Sequence, residues 1–356
     1  LVGGRLRKPE AELTQRELEL AASVQAVAEE IILRMARHIR QETGERHLCL
    51  AGGVALNCVA NGKLLRAGIF DDIYIQPAAG DAGGALGAAL SAYHHYHDKP
   101  RVTVPGTDWQ RGSYLGPEYS DDEVASAISQ FGAKSTLHAS DESMCTEVAR
   151  LMTEGKVVGW FQGRMEFGPR ALGARSIIGD ARSPEMQKIM NLKIKFRESF
   201  RPFAPAVLAE KVSEWFDHDR SSPYMLIVAD VLEKHRRQLT EADDALWGID
   251  KLNVPRSTIP AVTHVDYSAR LQTVHADTNP NFHRLISEFD RLTGCPVVVN
   301  TSFNVRGEPI VENPAQAYTC FMRTEMDVLV LGRHVLLKSE QPEWKEAHDW
   351  RAEHTL

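Results

Sequence analysis

Basic and small polar residues cluster in four places after residue 162 of this 356-residue chain, in combinations that suit the binding of a phosphate or a carboxylate. The densest cluster, residues 163–178, contains three arginines together with three glycines and a proline. Arginine presents a planar fork of donors that matches phosphate and carboxylate oxygens, and glycine lets such a ligand come close. Three arginines in a segment rich in turns therefore predict an anion site.

Two other basic clusters are less specific. Residues 193–205 interleave lysines and arginines with aromatic residues, a pattern that also fits the solvated end of a basic amphipathic helix. Residues 268–274 place Arg270 in an alternating pattern typical of a strand. By itself, Arg270 does not indicate a function.

The fourth cluster follows an apolar run, residues 296–299, and contains Asn300, Ser302 and Asn304. Polar groups at the end of a buried parallel strand are where α/β sheets bind ligands, so we predict a parallel strand that ends in a binding site. The Ser302 hydroxyl and the Asn300 amide would complement cations in holding a small carbonyl compound and its phosphate. A turn rich in asparagine is the alternative explanation.

The first half of the chain has a different pattern. Residues 48–90 read as strand, glycine turn, helix and strand, then a second glycine turn that carries Asp81, and another helix. Helix N-termini attract phosphate, and the layout is similar to the adenosine half of the actin, sugar kinase and heat-shock ATPase superfold. Because a Gly-x-Gly-x-x-Gly motif is not present, we predict ATP rather than NAD. Tight helix packing, with Asp81 as an ordinary helix cap, is the alternative.

Periodicity predicts the elements that would position these clusters. Residues 15–42 should form a helix whose apolar stripe lies in the core, namely Leu18, Ala21, Val24, Ile31, Met35 and Ile39. Residues 121–131 and 141–154 should be helices, and residues 157–161 a strand, which together predict an α/β domain. Proline and glycine between residues 98 and 117 indicate a linker.

Composition limits the class of protein. The chain is 43% hydrophobic and 25% charged, as expected for a soluble chain of two domains without a membrane span. Five cysteines without a Cys-x-x-Cys pair favour a reduced, cytoplasmic setting over a disulfide framework or a zinc site. A net charge of −7 argues against nucleic acid as a partner. His94, His95 and His97 lack metal-ligand spacing and fit a solvated helix end.

Five motifs together resemble the O-carbamoyltransferases of the NodU type: residues 51–57, 80–88, 166–176, 197–205 and 300–304. The resemblance implies an α/β chain with the second half of an actin-like (ASKHA) ATP-binding and metal-binding domain at residues 1–100. A linker at 101–118 and a YrdC-like domain at 119–356 would follow. Such enzymes form carbamoyl adenylate from carbamoyl phosphate and ATP and pass the carbamoyl group to a hydroxyl of a small-molecule acceptor.

The resemblance also implies roles for individual residues. In the carbamoyl phosphate site it assigns catalytic roles to Arg170, Lys195, Arg270 and Ser302, with Arg175 and Asn300 as further contacts. Gly52, Gly53, Asn57, Gly83 and Gly84 would cradle the nucleotide, and Asp81 would bind a divalent metal, whether iron, manganese or magnesium. The family's metal site also uses a His-x-x-x-His helix, and no such pair occurs here. We therefore expect that an N-terminal portion is missing, as Leu1 in place of Met also indicates.

Two other functions fit parts of the pattern. A tRNA threonylcarbamoylation-type factor would need a basic binding face, against which the net charge speaks. A nucleotide-binding regulatory module without enzymatic activity is the second alternative, and an upstream histidine pair in the parent reading frame would exclude it. Family analogy suggests a homodimer.

Overall fold

The computed structural model describes residues 7, 11, 13–104, 108–346 and 350. The architecture is mixed α/β, with a small and a large sheet. We call residues 13–104 the first segment and residues 108–346 the second segment. The first segment contains α1 (Gln15–Thr43), β1 (His47–Leu50), α2 (Cys58–Arg66), β2 (Asp72–Ile75) and α3 (Asp81–Ser91).

The second segment contains the remaining regular elements of the described residues. The helices are α4 (Asp121–Gln130), α5 (Asp141–Thr153), α6 (Met186–Ile189), α7 (Val212–Trp215), α8 (Glu241–Ala245), α9 (Gly248–Leu252), α10 (Pro280–Thr293) and α11 (Pro314–Arg323). The strands are β3 (Thr136–Leu137), β4 (Val158–Phe161), β5 (Arg175–Asp180), β6 (Ala204–Leu208), β7 (Ile227–Asp230), β8 (Ser268–Val274), β9 (Val297–Ser302), β10 (Val328–Leu331) and β11 (His334–Leu337).

The nine strands of the second segment form one sheet in the order β3-β11-β10-β4-β5-β9-β6-β8-β7. Only the β10–β4 and β6–β8 pairs in this sheet are parallel among the described residues. In the first segment β1 and β2 pair in parallel, with α2 as their crossover. The strand predicted at residues 296–300 is β9, but it runs antiparallel to both neighbours. The prediction that this strand is parallel to its neighbours is therefore wrong. A continuous apolar run indicates that a strand is buried on both faces, but it does not indicate whether the strand runs parallel or antiparallel to its neighbours.

Local signals explain the main helices. Ser120 and Ser140 each form a capping box at the start of α4 and α5, and Asn279 accepts from the Phe282 amide at the start of α10. The apolar residues of α10 recur at helical spacing and are fully buried: Phe282, Leu285, Ile286 and Phe289. They belong to the main core, which also holds Trp160 and the apolar residues of β9.

The first helix is where the predicted core is wrong. α1 covers the predicted range, but Val24 is 67% exposed, Ile31 51% and Met35 58%. A different side of α1 packs against the rest of the chain. It contains Ala36, which is buried in a small hydrophobic cluster with Leu64 of α2. Both stripes have helical spacing, so periodicity alone could not tell which one faces a partner.

Part of the predicted linker packs against the rest of the chain, while residues 105–107 lie outside the described residues. The Tyr114 hydroxyl donates to the Leu172 carbonyl (2.8 Å), and the Ser113 hydroxyl donates to the Phe167 carbonyl (2.6 Å). The Tyr224 hydroxyl donates to Asp108 Oδ2 (3.0 Å). Among the helices of the described residues, none combines the length and the apolar character that crossing a membrane requires.

Candidate anion-binding site

A cleft of about 320 Å³ opens beside the ends of three neighbouring strands, β6, β8 and β9. We call it the arginine cleft, because four arginines contribute to its wall. Its lining residues are Pro169, Arg170, Ala171, Arg197, Arg201, Pro202, Phe203, Ala204, Met225, Arg270, Thr301 and Ser302. Three of the four residues to which the family resemblance assigned catalytic roles therefore line one cavity.

The strand register brings these residues together. Ala204, the first residue of β6, pairs with Asn300 of β9, two residues before Ser302 at the end of that strand. β8 runs parallel to β6 on its other side and carries Arg270. Polar and cationic side chains that are far apart in sequence therefore reach the same edge of the sheet.

A buried carboxylate shapes the loop that presents Arg170. Glu166 Oε1 accepts hydrogen bonds from the backbone amides of Leu172 (2.7 Å), Ala174 (2.7 Å) and Arg175 (3.2 Å). Within this loop Gly173 has φ +104°, and a Cβ there would overlap the ring of Phe282. Only glycine fits this turn, so the Gly-Pro-Arg-Ala-Leu-Gly sequence is explained by the way in which it holds Arg170 at the cleft.

Among the four arginines of the cleft, Arg170 and Arg270 have the fewest compensating partners. No side-chain hydrogen bond or ion pair joins either of them to another described residue, and Arg170 Nε is buried without an acceptor. Burial lowers the pKa of Arg170, and burial together with the charge of Arg170 lowers the pKa of Arg270 to about 10. Both guanidinium groups stay charged at neutral pH, so an anion in the cleft would supply the acceptors that they lack.

The other two arginines of the cleft have partners. Arg201 Nε pairs with Glu198 Oε2 at 2.8 Å, which neutralises its charge. Arg197 Nε donates to the neutral Asn191 Oδ1 (2.7 Å), and its guanidinium carbon lies 5.0 Å from the centroid of the Phe203 ring. Burial and the nearby Arg201 lower the pKa of Arg197 to about 10. Arg197 therefore adds a third positive charge without a carboxylate partner.

Lys195 lies behind the cleft wall. Its Nζ donates to Asn304 Oδ1 (2.7 Å), the Asn304 carbonyl (2.9 Å) and Ser302 Oγ (3.3 Å), and also contacts the Ser302 carbonyl. Ser302 Oγ itself donates to Asn304 Oδ1 at 2.7 Å. Burial, assisted by the charge of Arg197, lowers the pKa of Lys195 to about 7. Lys195 acts on the cleft by orienting Ser302 and is not itself among the lining residues.

Two further predicted contacts lie outside the cleft lining. Asn300 is 1% exposed, and its Nδ2 donates to Gln272 Oε1 (2.7 Å) while its Oδ1 lacks a donor among the described residues. Arg175 is 0% exposed, and its Nη1 donates to the carbonyls of Gln162 (3.0 Å) and Gly163 (3.1 Å). Its guanidinium also lies 3.5 Å from the centroid of the Phe161 ring. Arg175 thus holds the loop rather than facing the cleft.

The predicted nucleotide residues lie in the first segment. Asn57 caps α2 by accepting from the Ala60 amide (3.1 Å), and it exchanges hydrogen bonds with Gln25. Gly52 has φ +92°, and a Cβ on Gly53 or Gly84 would meet open space. A Cβ on Gly83 would overlap the carbonyl oxygen of Ala78, so the small size of this residue is explained by its own turn.

The predicted metal ligand, Asp81, is the exposed first residue of α3. Across the part of the chain that the structure describes, no group of three or more His, Cys, Asp and Glu side chains could hold a metal ion. The described residues therefore do not complete a metal site around Asp81.

Sequence reasoning did not select Arg197, Arg201 and Met225, which also line the cleft. The signal for the two arginines was present, since both belong to the basic cluster at residues 193–205. Aromatic residues between the cations made a solvated helix end an equally good interpretation. Nothing in its local sequence marks Met225.

Comparison with known proteins identifies the family of the chain. A family model described as carbamoyltransferase C-terminus matches residues 149–338, which include all the residues that line the cleft. A second model, described as carbamoyltransferase N-terminus, matches residues 5–90. A solved structure of full-length HypF in its phosphate- and nucleotide-bound form covers 73% of this chain and 37% of its own chain. At 13% identity and a TM-score of 0.31, that likeness supports no argument.

Relatives match over most or all of the chain. An uncharacterised protein of Synechocystis, sll1178, is 57% identical over 100% of this chain and 58% of its own length. The nodulation protein NolO of Bradyrhizobium diazoefficiens is 40% identical over 98% of this chain and 59% of its own length. The chain thus spans less than two thirds of the length of these relatives. With both family models and this extent of identity, the chain belongs to the carbamoyltransferase family.

Proposed function

We propose that the arginine cleft binds carbamoyl phosphate and that the protein is an O-carbamoyltransferase, which transfers the carbamoyl group to a hydroxyl of a small-molecule or sugar acceptor. The observation that carries the proposal is the pair Arg170 and Arg270, two half-buried cations that make no side-chain hydrogen bond or ion pair with another described residue and line the same cleft as Ser302. A phosphate dianion supplies charge and oxygen acceptors to both guanidinium groups.

The other residues of the cleft suit the carbamoyl end of this ligand. Ser302 Oγ donates its proton to Asn304 and accepts from Lys195, so its remaining lone pair can accept a hydrogen bond from the carbamoyl amide in a defined direction. Arg170, Arg197 and Arg270 would stabilise the charge that develops on phosphate as the bond to the carbamoyl carbon breaks. In this proposal water attacks the carbamoyl carbon, the bond from that carbon to the bridging phosphate oxygen breaks, and carbamate and inorganic phosphate form.

The proposal continues with ATP. A carbamate oxygen attacks the α-phosphorus, pyrophosphate leaves, and carbamoyl adenylate forms. The acceptor hydroxyl then attacks the carbamoyl carbon, its proton passes to solvent, and AMP leaves with the bonding electrons. The first segment would be the second half of an actin-like domain in which Gly52, Gly53, Asn57, Gly83 and Gly84 cradle the nucleotide, and the second segment would be YrdC-like. Asp81 is our proposed contact to a divalent metal, and none of these steps depends on it.

Calorimetric titration of carbamoyl phosphate into the full chain tests the cleft. We expect binding that weakens by more than about tenfold in Arg170→Ala, since one desolvated charge-assisted contact contributes about 1.5–3 kcal/mol. Arg164→Ala is the matched control, because Arg164 belongs to the same motif but is exposed and pairs with Glu118. ATP is titrated separately. Absence of carbamoyl phosphate binding by the unaltered chain, or equal losses in the two variants, would contradict the proposal.

A further inference from the structure

Helix α2 of the first segment covers the edge strand of the large sheet next to the cleft. Asn61 of α2 is 2% exposed, and its Nδ2 donates to the carbonyls of Ala55 (2.8 Å) and Leu226 (3.0 Å). Arg66 Nη1 donates to the Val228 carbonyl at 2.9 Å. One buried amide and one guanidinium therefore satisfy carbonyls that an uncovered edge strand would expose to solvent.

The packing between α2 and β7 is close. A Cβ on Gly62 would overlap the carbonyl oxygen of Val228, so the helix backbone lies directly on the strand. Leu226 and Ile227 share a hydrophobic cluster with Ala55 and Ile75 of the first segment. Movement of α2 would thus uncover both polar and apolar groups of β7.

The same strand reaches the cleft. In the β7–β8 register Val228 pairs with Arg270, and Met225, just before β7, lines the cleft wall. Met225 has φ +57°, a left-handed conformation that is unfavourable for a methionine. The contacts on either side hold it there: the Tyr224 hydroxyl donates to Asp108, and the Leu226 carbonyl accepts from Asn61.

Asn61, the fourth residue of α2, is thus the point at which this helix supports the cleft wall, through the backbone next to Met225.

We propose that anion binding in the arginine cleft and docking of α2 on β7 are thermodynamically coupled, with Asn61 as a positioning residue that acts through Met225. The proposal rests on the anion-binding function of the cleft. Because coupling is reciprocal, a bound anion must stabilise the docked helix by the same factor by which docking raises anion affinity.

Hydrogen exchange on the full chain tests the reciprocal half of the proposal. We expect inorganic phosphate to slow amide exchange in residues 58–66 severalfold in the unaltered chain and to have no such effect in Arg170→Ala. An unchanged exchange rate at saturating phosphate would overturn the coupling. This measurement needs no substitution in α2, so it stands even if variants there fail to fold.

Asn61→Ala tests the other half. We expect its affinity for phosphate to fall about fivefold to tenfold, while Asn253→Ala, which alters an exposed asparagine at the end of α9, binds as the unaltered chain does. Unchanged affinity in Asn61→Ala overturns the coupling alone. Absence of phosphate and carbamoyl phosphate binding by the unaltered chain overturns the function of the cleft and the coupling with it.

Discussion

Arg170 and Arg175 lie five positions apart in one motif, but only the charge of Arg170 is available to a ligand. Arg175 donates to several backbone carbonyls and stacks on Phe161, so its charge is already satisfied. Arg170 has no such acceptors among the described residues, and its charge is available to a ligand. Sequence places both residues beside small residues and cannot separate them, because the acceptors around Arg175 come from distant segments such as the carbonyl of Pro117.

Replacement of these arginines should affect different properties. We expect Arg175→Met to lower the free energy of unfolding by about 3 kcal/mol or more, since it leaves several buried carbonyls without donors. Arg170→Ala should change it by less than about 1 kcal/mol, because no side-chain hydrogen bond or ion pair with a described residue is lost. Urea unfolding of the full chain measures both values. Similar losses in the two variants would contradict the distinction.

Lys195 should make anion binding depend on pH near neutrality. Burial lowers the pKa of Lys195 to about 7, so the side chain loses its charge as the pH rises from 6 to 8. We expect the affinity for sulfate, whose charge is constant in this range, to fall about fivefold, or about 1 kcal/mol. Lys195→Met should remove the pH dependence. A flat profile in the unaltered chain would show that Lys195 does not titrate here.

Most elements are evident from the sequence, whereas their arrangement is not. The helices predicted at residues 121–131 and 141–154 and the strand at 157–161 are confirmed as α4, α5 and β4 within a residue or two. Their capping residues and apolar repeats are local signals. The position of β9 between β5 and β6, and its antiparallel direction, depend on contacts between distant segments, so no local pattern encodes them.

The candidate site was predictable to a similar extent. Residue types alone indicated an anion site, and family resemblance selected Arg170, Arg270 and Ser302, which the sheet brings to one cleft. The sequence could not show which of the arginines in the cleft already have a partner within the protein. Arg201 is neutralised by Glu198, whereas the partners of Arg197 are a neutral amide and the Phe203 ring, although both arginines belong to the same basic run.

Helix α2 provides a test at the level of an element. Gly62→Ala would place a methyl group against the Val228 carbonyl, and we expect a loss of about 1–3 kcal/mol from overpacking. Gly87→Ala in α3 adds the same methyl group where no atom lies within 4 Å, and should stabilise the helix by about 0.5–1 kcal/mol. Thermal unfolding of both variants checks these signs. A neutral Gly62→Ala would mean that α2 does not lie directly on β7.

The charge of the whole molecule is distributed unevenly. The chain carries a formal net charge of −7, yet Arg170, Arg197 and Arg270 share one cleft without a carboxylate partner for any of them within the described residues. Screening limits the reach of surface charges to about 8 Å at physiological ionic strength. The cleft therefore attracts anions locally, while the ligand-free protein has to tolerate mutual repulsion among these cations.

Anions should for this reason stabilise the folded chain. At a phosphate concentration of one hundred times Kd, the free energy of unfolding should rise by about 2.7 kcal/mol. Calorimetric melting in phosphate and in chloride of equal ionic strength separates specific binding from screening. Arg170→Ala should lose most of the difference. An equal rise of Tm in both salts would indicate screening alone.

The central position of β9 has a consequence for the order of folding. The ribosome delivers β5, β6 and β8, with the arginines of the cleft, before β9 is made. Until then β5 and β6 have no common neighbour, and Lys195 lacks Ser302 and Asn304 as acceptors. Such non-local pairing forms late. We therefore expect a nascent chain that stops before residue 297 to have no affinity for the anion, so that the ligand assists only the last step of folding.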